Sequence, residues 1–300
     1  MKYAAFIITY RRVDILKKTI VELLNQSLPP SRILIVDNDP DSSALNAIED
    51  QKNSIIDYFS VGLNSGPSGG AYWGLKKLFE QGWEWVLWVD DDDPPSAVNQ
   101  LETILSIKNI YPFPEEIGVL GASGVLFNYD SFRINRIPDS QLSGILEVDM
   151  VAGNQFPFIH RRVYESGILP NSKLFFGFED LEFGLRVKEL GLKLLVNGEE
   201  VLRLRKHFNK YGKEKQRGLK KKTNHLWREY YSTRTISYIL KNKNRNLIMI
   251  KYSLFSLLKI LQSFRFGLMY GFICFKYILY GLIDGFRGKL GLTVLPIKKY

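Results

Sequence analysis

Short apolar runs separated by helical periodicity limit what the first 121 residues of this chain can become. Ala4–Thr9, Ile33–Val36, Ser54–Phe59, Trp85–Val89 and Ile117–Gly121 read as strands. Between them, Val13–Asn25 places Val13, Leu16, Ile20, Leu23 and Leu24 at helical spacing and is stopped by Pro29-Pro30. Ala71–Glu80 and Ala97–Ile107 also read as helices. The strands are continuously apolar instead of alternating, so both their faces need cover. That requirement predicts an α/β fold with a mostly parallel central sheet and helices on both faces. Ligands of such sheets sit beyond the carboxyl ends of the strands. The residues at those ends are Thr9-Tyr10-Arg11, Asp37-Asn38-Asp39, the Gly62–Gly70 loop and Asp90–Asp93.

Beyond the fifth run the pattern turns irregular, with short strands expected at Ile145–Val151 and Phe156–His160 and a helix at Phe178–Glu189. No internal repeat is visible. The 45% apolar content excludes disorder and disulfide-stapled miniproteins. A single cysteine, Cys274, cannot form an internal disulfide, so nothing argues for an oxidising compartment. The opening MKYAAFIITYRR reads as a buried strand, too short in its apolar run for a signal peptide.

The strongest chemical signal is Asp90-Asp91-Asp92-Asp93 at the end of WEWVLWV. Residues two apart in an extended segment point the same way, so Asp90 and Asp92 present carboxylates to one point, with Asp91 and Asp93 as the alternative pair. Hard oxygen ligands with open positions suit Mg²⁺ or Mn²⁺ bridging a diphosphate. Gly62–Gly70 runs into a helix N-terminus, which favours anions, but matches neither a dinucleotide fingerprint nor a triphosphate loop. Asp37 serves equally as a base or ribose acceptor and as an Asx turn leading into Pro40. Glu179, Asp180 and Glu182 suit the positive end of a helix dipole as well as they suit general-base chemistry.

Taken in order, these pieces resemble family 2 glycosyltransferases of GT-A fold over about residues 3–240. The series is Thr9-Tyr10 with Arg11 or Arg12, Val36-Asp37-Asn38, Asn64-Ser65-Gly66-Pro67-Ser68-Gly69-Gly70, Asp90–Asp93, and Glu179-Asp180-x-Glu182 with Arg186 and Gly191. The glycine loop, the additional aspartates and the closing Asp284-Gly285-Phe286-Arg287-Gly288-Lys289 are similar to the rhamnosyltransferase and galactofuranosyltransferase subgroup. The resemblance implies an inverting, metal-dependent enzyme using a dTDP- or UDP-sugar, with rhamnose or galactofuranose as the sugar. It implies Asp90 and Asp92 as metal ligands with His207 as a third. Thr9, Arg11, Asp37, Asn64, Gly69, Gly70 and Asp91 would then lie against the nucleotide-sugar. It implies Asp180 as the base, and Gly153-Asn154 as a candidate acceptor contact. Residues 1–240 would form the catalytic domain, its nucleotide-sugar half about 1–122 and its acceptor half about 123–240.

Charge separates the two ends of the chain. Residues 1–202 hold 18 Lys and Arg against 28 Asp and Glu, whereas residues 203–300 hold 23 against 3. A polyanionic partner is implied. Nucleic acid is disfavoured because no recognition motif accompanies the charge. Residues 252–286 mix Phe, Tyr and Leu with recurring cations, the pattern of helices lying on an anionic membrane, so 241–300 is expected to be an amphipathic helical segment that associates with membrane or packs on the protein. The expected location is cytoplasmic, peripheral on the inner face of the cell membrane, where a lipid-linked or polysaccharide acceptor is made. A homo-oligomer stays open. Two other readings remain: a sugar nucleotidyltransferase, and a non-catalytic polyanion-binding protein.

Overall fold

The computed structural model describes residues 2–45, 48, 54–213, 219–243 and 246–295. Its core is an eight-stranded sheet in the order β3-β2-β1-β4-β9-β5-β10-β8. The strands are β1 Ala4–Thr9, β2 Arg32–Asp37, β3 Ile56–Ser60, β4 Trp85–Asp90, β5 Ile117–Gly121, β8 Ile145–Val148, β9 Phe158–His160 and β10 Lys193–Asn197. Strands β3, β2, β1 and β4 run parallel, as do β5 and β10, while β9 is antiparallel to both its neighbours. β6 Leu126–Asn128 and β7 Arg133–Asn135 form a separate hairpin. The mixed α/β architecture, largely parallel and covered on both faces, is the one the sequence predicts.

The central strand β1 shows why the apolar runs are continuous. Period-2 alternation sends Ala5 and Ile7 to one core and Ala4, Phe6 and Ile8 to the other, all nearly inaccessible. The first core receives helix α1 Val13–Leu24 through Leu16, Ile20 and Leu23, and α3 Gln100–Ile110 through Leu101, Ile104 and Leu105. The second receives α2 Gly66–Glu80 through Ala71, Leu75 and Leu78. Each leucine or isoleucine among these contributes on the order of 2 kcal/mol on burial.

Two glycines set the approach of α2 to the sheet. A Cβ at Gly74 would meet the Phe6 ring at 2.3 Å, and one at Gly70 would meet Ile8 at 2.6 Å. The expected loop over 66–70 is therefore the first turn of α2, drawn into the helix because its glycines let the backbone lie directly on β1. The short elements β6, β7 and β10, helix α4 Arg161–Glu165 and helix α6 Gly198–His207 were not expected from the sequence.

The chain steps from β1 to β2 and β3 on one side, then returns to place β4 on the other. The carboxyl ends of β1 and β4 thus flank a topological switch point, where open sheets of this kind leave a crevice. Helix α5 Glu179–Glu189 approaches the same end, preceded by Phe178 in a left-handed conformation (φ 64°).

The C-terminal helices are α7 Trp227–Asn242, α8 Asn246–Ser263 and α9 Leu268–Arg287. A Cβ at Gly281 of α9 would meet the Tyr230 carbonyl oxygen at 2.6 Å, and one at Gly285 the Arg234 carbonyl oxygen at 2.3 Å, so these glycines let α9 press onto α7. Arg234 is fully buried, donates to the carbonyls of Gly291 at 2.7 Å and Leu174 at 2.5 Å, and lies over the Tyr231 ring. Residues on either side of position 240 pack in one cluster, Ile236 and Leu240 with Met249 and Tyr252, against Leu181 and Leu185 of α5.

Candidate active site

Asp90 is the last residue of β4, half-buried, with its Oδ1 accepting from the Trp88 indole N–H at 3.3 Å. Burial raises its carboxyl to about 7, helped by the charges of Asp92, Asp91 and Asp93 and opposed by the Trp88 hydrogen bond. Gly153 lies against this pair: a Cβ there would stand 2.8 Å from both Asp90 Oδ1 and Trp88 Nε1. The Gly153 backbone amide also faces Asp180 and favours its charged form. Asp180 is held well above the usual carboxylate range by burial and by the charges of Glu179 and Asp90, and its Oδ1 is buried without a hydrogen-bond partner. Glu179 is raised to about 7 by burial and by Asp90. Asp90 and Asp180, from elements distant in sequence, thus meet at the Gly153 backbone, with Glu179 near enough to feel the charge of Asp90.

The aspartate run divides in its roles. Asp91 is buried and saturated: it accepts from Thr9 Oγ1 at 2.9 Å and from Arg12 at 3.1 Å, while Thr19 Oγ1 donates to its carbonyl at 2.6 Å. It ties β4 to β1 and α1. Asp92 is exposed and accepts from the same Arg12 guanidinium at 2.5 Å. Asp93 lies at the rim of a cavity of about 710 Å³ that passes Asn154 and Gln155 towards Arg136 and Lys210.

The nucleotide-side residues also find definite places. Asp37 is buried and its oxygens accept from the Asp39 N–H at 2.8 Å, the Ala44 N–H at 3.1 Å and Tyr58 Oη at 3.0 Å, which is the Asx-turn arrangement. Arg11, left-handed at φ 55°, donates to Asp39 at 2.9 Å and to Asp41 at 2.5 Å. A non-glycine residue in this region stores about 1–3 kcal/mol of strain, and such residues gather at functional sites. Asn64 Oδ1 accepts from the Gly66 N–H at 3.1 Å, holding the start of α2. Gly69 and Gly70 are both buried: a Cβ at Gly69 would strike Ser65 Oγ at 2.2 Å, and Gly70 faces Ile8.

Of the acids opening α5, Glu182 belongs elsewhere: it accepts twice from Arg186, at 2.7 and 2.9 Å. His207 is exposed at the end of α6, edge-on to Phe208. The structure does not bring it to Asp90 and Asp92, and among the described residues no three His, Cys, Asp or Glu side chains are grouped as a metal set. Sequence reasoning missed Trp88 as a site residue and did not separate Glu179 from its neighbouring acids. The signal for Trp88 was its position two before Asp90 on one strand face.

A divalent cation suits this donor set. Asp90, Glu179 and Asp180 repel one another in a poorly solvated place, and Asp180 Oδ1 has no protein donor. Asp90 supplies hard oxygen within the site and Asp92 at its exposed edge.

The sheet with its switch point between β1 and β4, the aspartates at the end of β4 and the carboxylates at the start of α5 define a fold of GT-A type. Residues 4–106, about a third of the chain, match the model of glycosyl transferase family 2. The chain is 27% identical over 111 residues to galactofuranosyltransferase GlfT1 of Mycolicibacterium smegmatis, covering 37% of this chain and 36% of the relative. It is 31% identical over 113 residues to GlfT1 of Mycobacterium tuberculosis, covering 37% of each. The match thus spans little more than a third of these relatives. Among solved structures, GalNAc-T7 with UDP, GalNAc and Mn²⁺ is similar at a TM-score of 0.53 and 14% identity, over 66% of this chain and 42% of that one. The mannosyltransferase PcManGT of Pyrobaculum calidifontis, in complex with GDP-Man and Mn²⁺, is similar at a TM-score of 0.50 and 13% identity, over 96% and 88%.

Proposed function

We propose that this protein is an inverting glycosyltransferase that moves a sugar from a dTDP- or UDP-sugar, galactofuranose or rhamnose, to a hydroxyl of a glycan or lipid-linked saccharide. The observation that carries the reading is Asp180 with an unpartnered oxygen, set across Gly153 from Asp90 at the sheet's switch point. The relatives named galactofuranosyltransferase and the Mn²⁺-containing structural neighbours support it.

Asp90 and Asp92 would hold Mg²⁺ or Mn²⁺, which when bound neutralises charge on the departing diphosphate. Arg11 and Arg12, fixed by Asp39 and Asp91, orient the acidic rim around the nucleotide. Asp180 accepts the proton of the acceptor hydroxyl while that oxygen bonds the anomeric carbon and the bond to the diphosphate breaks on the opposite face. The environment that makes Asp180 hold a proton tightly also makes it an effective base near neutral pH once the site is ionised. Residues 1–122 serve the donor in this reading and 123–240 the acceptor, in the cavity past Asn154. The work is done at the cytoplasmic surface of an anionic membrane, met by residues 241–300.

The test combines a nucleotide-sugar panel, UDP-galactofuranose and dTDP-rhamnose first, with Asp180→Asn. The variant is expected to keep Mn²⁺-dependent donor binding and to lose transfer by about a hundredfold or more. Normal turnover by the variant refutes the base assignment.

A further inference from the structure

Helices α8 and α9 form a hairpin about Gly267 and leave apolar stripes uncovered. On α8 the exposed residues include Leu247, Leu254, Leu258 and Leu261; on α9 they include Leu268, Phe272, Phe275 and Phe286. Both helices are long and apolar enough to cross a membrane by length and composition. Their other faces are committed to the protein, however. Lys259 of α8 reaches Glu229 of α7 at 2.5 Å, and Gly281 and Gly285 lock α9 to α7. A helix held to the protein on one face and apolar on the other has the amphipathic pattern of helices that lie on a bilayer.

A second cavity adjoins this stripe. It measures about 600 Å³, lies between α7, α9 and residues 289–294, and is lined by Lys276, Tyr277, Tyr280, Ile283, Arg287 and Lys289 among others. At about 100° per residue around α9, Lys276, Ile283 and Arg287 fall directly beside the stripe of Leu268, Phe272 and Phe286. No carboxylate among the described residues pairs with Lys276, Arg287 or Lys289; Asp284, the acid of this cavity, accepts from Tyr230 Oη at 2.7 Å. Three unpaired cations and two tyrosines thus border an apolar surface. That is the chemistry of an anion carrying a hydrocarbon tail.

We propose that this cavity binds the phosphate of an anionic lipid whose acyl chains lie against the α9 stripe, so that the hairpin docks on the membrane at a defined headgroup site. The proposal rests on the reading that the enzyme works at a lipid surface. It adds the place of contact and its ligand. Flotation of the full chain with vesicles of phosphatidylcholine alone, or of equal phosphatidylcholine and phosphatidylglycerol, tests it. Wild type is expected to prefer the anionic vesicles. K276Q/R287Q/K289Q should bind them at least about tenfold more weakly, whereas K2Q/K18Q/K108Q, which removes equal charge from the sheet half, should change binding by less than about twofold. R287Q alone, at the exposed helix end, gives a partial loss and keeps the test usable if the triple variant does not fold. Equal losses from both triple variants, or none from the first, overturn the headgroup site while leaving membrane association standing. Soluble glycerol phosphate displacing the protein from vesicles would show a free-phosphate site and overturn the lipid coupling. Wild type floating with neither vesicle overturns the membrane reading itself.

Discussion

Replacing Asp90 by Asn should make the metal-free protein more stable and less active. Asn is isosteric and keeps an oxygen for the Trp88 indole N–H, so packing at the end of β4 is preserved. What changes is charge. Burial and then the charge of Asp92 raise the Asp90 carboxyl from its ordinary 3.8 to about 7. A difference of about three pH units at 1.36 kcal/mol each corresponds to about 4 kcal/mol opposing ionisation in the fold. Water still reaches this half-buried group, and screening reduces the figure to ~2 kcal/mol. The folded state holds this proton more tightly than the unfolded state does, so wild-type stability falls as pH rises from about 4 to about 7 and then levels. The advantage of Asp90→Asn should be near zero at the acid end of that window and complete above it. In a chain of this size ~2 kcal/mol raises Tm by about 4 °C. Calorimetry in EDTA at the two ends of the window measures it. Repeating the scans with Mn²⁺ should raise wild-type Tm and leave the variant nearly unmoved, because a ligand stabilises only the state that binds it. A variant less stable than wild type above neutral pH without metal, or a difference independent of pH, refutes the reasoning.

Gly153→Ala puts a methyl group 2.8 Å from Asp90 Oδ1 and Trp88 Nε1. It should cost about 1–3 kcal/mol by overpacking and, by displacing Asp90, slow transfer on the order of a hundredfold. Unchanged Tm and unchanged turnover together would sink that role for Gly153. Glu229 is buried; burial would raise its carboxyl, but Lys259 and Lys221 outweigh it and hold the group below its ordinary 4.5. Its stabilisation is therefore present above the unfolded carboxyl's range and lost as pH falls through the lowered folded value. Glu229→Gln should lower the urea midpoint at pH 7 by an amount equivalent to about 1–3 kcal/mol, with the difference narrowing below about pH 4. A deficit that persists undiminished in acid contradicts the assignment.

What the sequence determined by itself is local. Continuous apolar runs demand a sheet covered twice, and β1 obeys by feeding one core through Ala5 and Ile7 and the other through Phe6 and Ile8. The carboxylates at the end of β4 were visible because four aspartates on a buried strand have few other uses. Helix α5 was legible, but the partners of its acids were not. Only the tertiary structure separated Glu182, taken by Arg186 on the next turn, from Asp180, which meets Asp90 across Gly153. In the same way it turned Asp91 from a candidate ligand contact into the tie between β4, Thr9 and Arg12, and occupied Asp37 with its own loop. The physical reason is range. Periodicity and turn chemistry act within a few residues, whereas a carboxylate's proton affinity depends on charges and burial contributed by segments far apart in the chain, and nothing at either end records which segment will arrive.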